Sequence, residues 1–117
     1  MDELGTTMRR THTHSHQTLD AAKVLGLDIA AARRERRLTA SDLAERAGIS
    51  AVTLRRVEQG DPTVALGTFF ELATLLGIHL FGADPSELAA LIDRGRTRLA
   101  LLPARIRETE NEVFDDF

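Results

Sequence analysis

The chain contains no cysteine, no tryptophan and no tyrosine, and only five phenylalanines and three prolines occur among its 117 residues. The absence of cysteine excludes a disulfide framework and a zinc site built on thiolates. Because aromatic side chains are so few, the 43% of apolar residues must build the core chiefly from Leu, Ile, Val and Ala. That composition favours packed helices over a β-sandwich or barrel, and the length suits one domain with tails.

Long apolar runs and catalytic constellations are also missing. No stretch approaches the roughly 20 apolar residues that span a bilayer, and residues 1–17 lack the apolar region of a secretory signal. These absences predict a cytoplasmic protein that does not contact a membrane. Since the sequence shows no nucleophile–base pair, phosphate-binding loop or metal cluster, we expect neither enzyme activity nor a cofactor.

Charge is unevenly distributed along the chain. The formal net charge is −3, yet residues 21–60 carry eight Lys/Arg against five Asp/Glu, and residues 108–117 carry five acidic residues and no basic one. A local excess of positive charge is typical of a surface that binds nucleic acid. The net charge therefore conceals a basic segment and an acidic tail.

Residues 1–19 are predicted to form a disordered tail, because they are polar and show no periodicity. His12, His14 and His16 alternate within this segment, and histidine-rich tracts can bind metals. A loose segment does not hold its side chains in the geometry that a metal requires. We therefore expect a solvated tail without a metal site.

Apolar periodicity, capping residues and glycines predict a five-helix domain over residues 20–95. Thr39 and Ser50 are suitable N-caps for the second and third helices, and Gly48 suits a left-handed residue between them. Gly95 is predicted to end the fifth helix. The predicted helices cover residues 20–36, 40–47, 51–58, a stretch from Thr63 or Thr68 to Leu76, and 85–94, the last with Asp84 as its N-cap.

Two interpretations remain open for residues 96–107. Polar and apolar residues alternate in 96–102, which fits a short strand. Such a strand would have to pair with the same segment of a second subunit and would serve dimerisation. The alternative is a continuation of the fifth helix. Residues 108–117 are predicted to be a disordered acidic tail.

Residues 40–60 have the pattern of two short helices joined by a tight turn at Gly48. Ala44 is small where the two helices approach each other, and Ile49 and Leu54 fill the space between them. This spacing holds the second helix at a steep angle, so that its outer face can enter a DNA major groove.

This segment resembles the helix-turn-helix of the Cro/C1-type (XRE) regulators, and the similarity extends over residues 24–82. The matching positions are Leu25-Gly26, Ile29, Ala32-Arg33, Leu43-Ala44, Gly48-Ile49-Ser50, Leu54, Val57-Glu58, Gly60, Leu66, Leu72-Ala73, Leu76-Gly77 and Ile78. The resemblance implies an all-α, five-helix, lambda-repressor-like fold in a bacterial transcriptional repressor that binds double-stranded DNA. It also implies a structural ion pair between Arg33 and Glu58.

The predicted DNA contacts lie mainly on the exposed side of the recognition helix. Arg56 is the first candidate for a bidentate contact with guanine, while Ala51 and Val52 suit the methyl groups of thymine. Arg36 and Arg37 are candidates for phosphate contacts. The full predicted set is Arg36, Arg37, Thr39, Ser41, Ser50, Ala51, Val52, Thr53, Arg55 and Arg56. The alternative interpretation of these arginines is a solvated basic face.

One position departs from the family pattern. Ala40 stands where these regulators often have a glutamine that contacts the DNA backbone, so Thr39, Ser41 or Ser50 would have to supply that contact. Because one recognition helix reads only a few base pairs, we expect a homodimer that binds a palindromic operator.

The chain continues with Leu101-Leu102-Pro103-Ala104-Arg105-Ile106-Arg107 and an acidic tail that ends in Asp115-Asp116-Phe117. This C-terminal segment is similar to that of the HipB-like antitoxins of toxin–antitoxin operons. In that group a helix-turn-helix dimer represses its own operon and binds a HipA-like kinase toxin. An acidic segment that contains Phe114 and Phe117 can place these rings in a pocket of the partner and its acidic residues on a basic cleft, so the two phenylalanines are predicted to bind the partner. The alternative is a stand-alone XRE regulator, whose tail loosens non-specific DNA binding or only keeps the protein soluble.

Overall fold

The computed structural model describes residues 13–106, and five α-helices contain most of them. They are α1 (His16–Glu35), α2 (Ala40–Ala47), α3 (Ala51–Glu58), α4 (Leu66–Leu75) and α5 (Pro85–Ala100). A 3-10 turn at Leu80–Gly82 precedes α5, and no strand occurs within residues 13–106. The predicted all-α, five-helix, lambda-repressor-like class is confirmed. No helix in this part of the chain has the length and apolar composition needed to cross a membrane.

The chain divides between Leu80 and Phe81 into two compact units. In the first unit, α1 to α4 surround one apolar core, in which Ile29, Leu54 and Leu72 are fully buried. Burial of each such side chain contributes about 1.5–3 kcal/mol relative to its exposure. Because α3 packs against both α1 and α2, this core fixes the position of α3 within the unit.

Helices α2 and α3 have the predicted bounds, because local signals mark their ends. The Thr39 hydroxyl accepts a hydrogen bond from the backbone N–H of Asp42, and the Ser50 hydroxyl accepts one from Thr53. Between the helices, Gly48 has a φ of 70°, a left-handed conformation that glycine adopts without steric cost. The turn of the helix-turn-helix is therefore specified by the residues at its two ends.

Helices α1 and α3 approach each other at Gly26. A Cβ atom at this position would lie 2.3 Å from the carbonyl oxygen of Val57. That distance is well inside van der Waals contact, so any side chain here would push the two helices apart. A residue without a side chain is thus required where α3 contacts the first helix.

The first helix begins earlier than the sequence predicts. Ser15 is its N-cap and accepts a hydrogen bond from the backbone N–H of Thr18. Residues 16–19 are therefore helical, and their assignment to a disordered tail is wrong. Residues 1–12, including His12, lie outside the described residues. Within residues 13–106, no three His, Cys, Asp or Glu residues form a group that could hold a metal ion.

The fourth helix begins at neither of the two threonines predicted to open it. Its first residue is Leu66, and its N-cap, Ala65, makes no side-chain capping bond. Thr63 instead hydrogen-bonds to Asp61, and Thr68 lies inside the helix. Thr63 does not cap the helix, because its hydroxyl oxygen already accepts a hydrogen bond from Arg56 Nη2 and its hydrogen is donated to Asp61.

The fifth helix continues through Gly95 to Ala100. Its start is as predicted: Asp84 and Glu87 form a reciprocal capping box, with Pro85 at the first helical position. Gly95 does not have a positive φ, so nothing in its backbone ends the helix there. The strand interpretation is therefore wrong for residues 96–100, and the helical alternative holds for them. The tail residues Phe114 and Phe117 lie outside the described residues.

Candidate DNA-binding interface

Helix α3 has a buried side and an exposed side. Leu54 and Val57 are both 0% exposed, and they anchor the helix in the core. The opposite side is open to solvent. The predicted contact residues on α3 that are exposed are Ala51, Val52, Arg55 and Arg56, whereas Thr53 is half-buried. The structure thus brings one apolar and one basic group of predicted contacts together on a single helical surface.

The N-terminus of α3 is held by two hydroxyl groups. The Ser50 hydroxyl donates to the Thr53 hydroxyl oxygen over 3.0 Å, and the same Ser50 oxygen accepts from the Thr53 backbone N–H over 3.0 Å. While these bonds persist, the Ser50 hydrogen is engaged and the Thr53 hydroxyl keeps its own hydrogen for an outside acceptor. Of the two predicted contacts, Thr53 is therefore the better hydrogen-bond donor to DNA.

Arg56 is held in one orientation by the loop that follows α3. Its Nε donates to Asp61 Oδ2 over 2.8 Å, and its Nη2 donates to the Thr63 hydroxyl over 2.8 Å. The arginine side chain is still 44% exposed. A guanidinium has five N–H donors, and these two bonds occupy the Nε edge. The Nη1 hydrogens and the second Nη2 hydrogen remain for another bidentate acceptor.

The carboxylate of Asp61 is stabilised by the same loop. The Thr63 hydroxyl and backbone N–H donate to Asp61 Oδ1 over 2.6 and 2.9 Å. The Thr63 hydroxyl, the Thr63 N–H and the Arg56 guanidinium together lower the pKa of Asp61 to about 2. Asp61 therefore remains an anion that holds Arg56 throughout the physiological pH range.

The sequence analysis did not predict that Asp61 and Thr63 hold the Arg56 side chain. Their signal was present: in Asp61-Pro62-Thr63, an aspartate stands two residues before a free backbone N–H, which is the pattern of an Asx-turn. Arg34 on α1 also lies outside the predicted contact set. Together with Arg55 it lines a groove of about 400 Å³ between α1 and α3.

The predicted phosphate contacts lie around the connection between α1 and α2. Arg36, Arg37 and Ser41 are all exposed. Arg37 has a φ of 56°, a left-handed conformation that costs a side-chain-bearing residue roughly 1 kcal/mol compared with glycine. Arg37 therefore presents its exposed basic side chain from a strained backbone position in the α1–α2 connection.

The ion pair between Arg33 and Glu58 is present and joins α1 to the end of α3. Arg33 Nε lies 2.7 Å from Glu58 Oε2, and Arg33 Nη2 lies 3.1 Å from Glu58 Oε1. The remaining Arg33 nitrogen donates to the Leu38 carbonyl over 2.9 Å. The hydrogen bonds to Glu58 raise the pKa of Arg33 above its ordinary value. Both side chains are less than 15% exposed, so the pair is largely shielded from solvent and ties α1 to the end of α3.

Residues 29–82, slightly less than half of the chain, match the helix-turn-helix family. The match covers α2, α3 and α4, and it begins in the second half of α1. Neither the curated proteins nor the solved structures yield a match to the chain. Residues 29–82 are therefore a helix-turn-helix domain. This match supports the predicted similarity to the Cro/C1-type (XRE) DNA-binding transcriptional regulators.

Proposed function

We propose that this protein is a sequence-specific transcriptional repressor without enzyme activity, and that two copies bind one palindromic DNA operator. The observation that carries the proposal is the two-sided burial of α3. Leu54 and Val57 are wholly buried, while Val52, Arg55 and Arg56 are exposed on the other side. Because one face anchors the helix, its other face is already ordered before binding. Less conformational entropy is then lost on binding, which favours recognition of a fixed groove.

The exposed side chains supply two kinds of base contact. Arg56, whose guanidinium is already oriented by Asp61 and Thr63, has donors left for the O6 and N7 atoms of guanine. Ala51 and Val52 have no hydrogen-bonding side-chain groups and suit thymine methyls. Such a surface would prefer half-sites that contain both guanine and thymine.

Contacts to the DNA backbone would come from the α1–α2 connection. Arg36, Arg37 and Ser41 are exposed there. The N–H groups of Ala40 and Ser41 have no partner within α2, whereas that of Asp42 is bonded to the Thr39 hydroxyl. Helix N-termini and arginines bind phosphate without reading sequence. In the proposed complex they would set the register of α3 in the groove.

Selection from a random duplex pool tests the proposal without knowledge of the operator. The recovered sequence is then compared with a shuffled duplex by fluorescence anisotropy over a salt series. We expect a palindromic consensus with half-sites about 34 Å apart, two chains per duplex, and an affinity that falls steeply as salt rises. Equal binding to both duplexes, or a slope near zero against salt, would contradict it.

A second candidate makes the same repressor an autoregulating antitoxin that binds a HipA-like kinase. It is supported by the sequence of residues 108–117, where five acidic residues accompany Phe114 and Phe117. Such a segment can place aromatic rings in a pocket and acids on a basic cleft. Co-purification of a kinase encoded beside it would support this candidate if a Phe114→Ala/Phe117→Ala double variant loses the kinase but keeps DNA binding. Retention of the kinase by that variant would remove the role assigned to the tail.

A further inference from the structure

The first compact unit contains a cavity between the first half of α1, the loop after α3 and the start of α4. We refer to it as the α1–α4 cavity, and its volume is about 310 Å³. The buried ring of Phe69 and the half-buried side chains of Leu25 and Val64 line it where it adjoins the core. Small-molecule sites in proteins are mostly apolar and have volumes of about 300–1,000 Å³, so this cavity lies at the lower end of that range.

The side chains around the α1–α4 cavity select against a charged ligand. No Lys, Arg, His, Asp or Glu among residues 13–106 lines it, and its one polar side chain is that of Thr18. A charge moved into such surroundings loses its hydration without compensation, so a phosphate or an acidic peptide finds no counter-charge here. Leu66 also lines the cavity and is 66% exposed. An uncharged, mainly apolar molecule in the cavity therefore removes apolar surface of both partners from water.

The volume of the cavity limits the size of its occupant. If each non-hydrogen atom takes about 30 Å³, the share of one molecule in liquid water, the cavity holds roughly ten such atoms. One turn of an α-helix with its side chains is about 10 Å wide and 5.4 Å long, which corresponds to roughly 400 Å³. The cavity is therefore too small for a helix of a partner protein and has the size of a bicyclic aromatic molecule.

The loop after α3 connects the cavity to Arg56. Pro62 and Val64 line the cavity, and they flank Thr63, whose hydroxyl accepts a hydrogen bond from Arg56 Nη2 over 2.8 Å. The Val64 backbone N–H donates to the Asp61 carbonyl oxygen over 3.3 Å, which is long for such a bond. A molecule that fills the cavity contacts the loop on both sides of Thr63. It thereby stabilises the loop conformation that orients Arg56.

We propose that the α1–α4 cavity binds an uncharged, mainly apolar small molecule, and that its occupation strengthens binding to the DNA operator. The coupling to DNA rests on the proposed function, whereas the binding of the small molecule does not. A ligand favours the protein conformation to which it binds, and in this conformation Asp61 and Thr63 hold Arg56. Coupling between two sites is reciprocal, so operator DNA strengthens the binding of the small molecule by the same factor.

Indole is a suitable probe for the cavity, because it is an uncharged bicyclic aromatic molecule. The chain contains no tryptophan and no tyrosine, so the fluorescence of indole is followed without an overlapping signal from the protein. We expect its emission to shift to shorter wavelength as the full chain is added, because the ring leaves water for apolar surroundings. The absence of a shift would mean that the cavity of the full chain is closed to small molecules, and it would overturn the proposal.

Two half-buried alanines of α1 provide a matched pair of variants. Ala22 lines the cavity and Ala30 does not. Ala22→Leu fills part of the space that the ligand needs, so we expect it to weaken indole binding about tenfold. Ala30→Leu makes the same change elsewhere on the helix, and its effect should not exceed about twofold. Circular dichroism confirms that both variants fold. Equal weakening by the two variants would overturn the cavity as the site of binding.

Fluorescence anisotropy on the selected operator, with and without saturating indole, tests the coupling. We expect indole to tighten binding of the wild type about fivefold. Ala22→Leu should show no such effect, which excludes an action of indole on the duplex itself. Thr63→Val removes the hydroxyl that accepts from Arg56 and should bind indole without the gain in operator affinity. An operator affinity of the wild type that indole leaves unchanged or lowers would overturn the coupling.

The two proposals fail in different ways. A chain that binds indole in the cavity but selects no palindromic operator would contradict the proposed function alone. A chain that binds its selected operator but not indole would overturn the cavity as a ligand site, and the proposed function would stand.

Discussion

Helices α3 and α5 are both amphipathic, but the chain uses their apolar faces differently. In α3, eight residues long, Leu54 and Val57 are completely buried by the helices around them. In α5, twice as long, no residue is buried and Leu99 remains 71% exposed. The internal packing energy of the fold is therefore concentrated in the first unit, where it orients a recognition surface. Along α5, Ile92 and Leu99 remain more than half exposed, while Leu88 is half-buried.

The sharpest test of this contrast truncates one leucine in each helix. Leu54→Ala should lower the free energy of unfolding by about 2–5 kcal/mol, because it leaves a cavity in a packed core. Leu99→Ala should change it by less than about 0.5 kcal/mol at concentrations where the chain is monomeric, because an exposed side chain has little packing to lose. Urea denaturation followed by circular dichroism measures both. Similar losses would contradict the division between a packed α3 and an exposed α5.

The next largest effect concerns the ion pair that joins α1 to α3. Glu58→Ala leaves the Arg33 guanidinium, whose side chain is 12% exposed, without its charged partner. We expect a loss of about 2–3 kcal/mol, somewhat less than for a fully buried pair. Glu45→Ala removes the same charge from an exposed position on α2 and should cost less than about 0.5 kcal/mol. Equal losses in urea denaturation would mean that the pair does not stabilise the fold.

The same contrast separates what sequence reasoning found from what it missed. The bounds of α2 and α3 were predictable because Thr39, Ser50 and Gly48 act within one turn of the chain. The end of α5 was not. A glycine inside a helix carries a modest cost, and it ends the helix only when its backbone turns left-handed. The alternation of polar and apolar residues over 96–102 is compatible with a strand and with a helix. The backbone conformation distinguishes the two, and it is helical through Ala100.

The sequence likewise predicted part of the candidate site, namely the two sides of α3, but not the contacts of the loop that follows it. The spacing of the apolar residues predicts which side of α3 is buried, and the remaining residues of the helix form its exposed side. The bonds between Arg56, Asp61 and Thr63 were missed, because they depend on how a loop folds back on the helix before it. Periodicity carries no information about such a distance, although the Asx-turn that organises the loop has a readable local pattern.

For DNA binding, Arg56 provides the most informative substitution. Arg56→Ala should weaken binding to the selected operator by about 1–3 kcal/mol and relax the preference at one base of each half-site. Arg46→Ala removes the same charge from an exposed position on α2 outside the predicted contact set, and it should leave the preference unchanged. Anisotropy on operators with single substitutions measures both properties. If Arg56→Ala weakens all duplexes equally, the arginine contacts phosphate and does not read a base.

The smallest effect tests whether the Asp61 loop stabilises the folded state. The pKa of Asp61 is about 2 in the folded protein, against an ordinary value of 3.8. A carboxyl group whose pKa falls on folding stabilises the fold above its unfolded pKa, and that contribution is lost as the pH falls through the folded pKa. The loss therefore belongs to the interval between about pH 4 and pH 2.

Comparison of the wild type with Asp61→Asn isolates this contribution. Asparagine keeps an oxygen that can accept from the Thr63 backbone N–H but has no charge to titrate, so its stability should fall less steeply between pH 4 and pH 2. Urea denaturation at fixed ionic strength gives the two curves. Above pH 4 the wild type should be the more stable protein, because only its carboxylate bonds Arg56 as an ion. Parallel curves throughout would show that Asp61 titrates alike in the folded and unfolded chains, and the loop would then orient Arg56 without stabilising the fold.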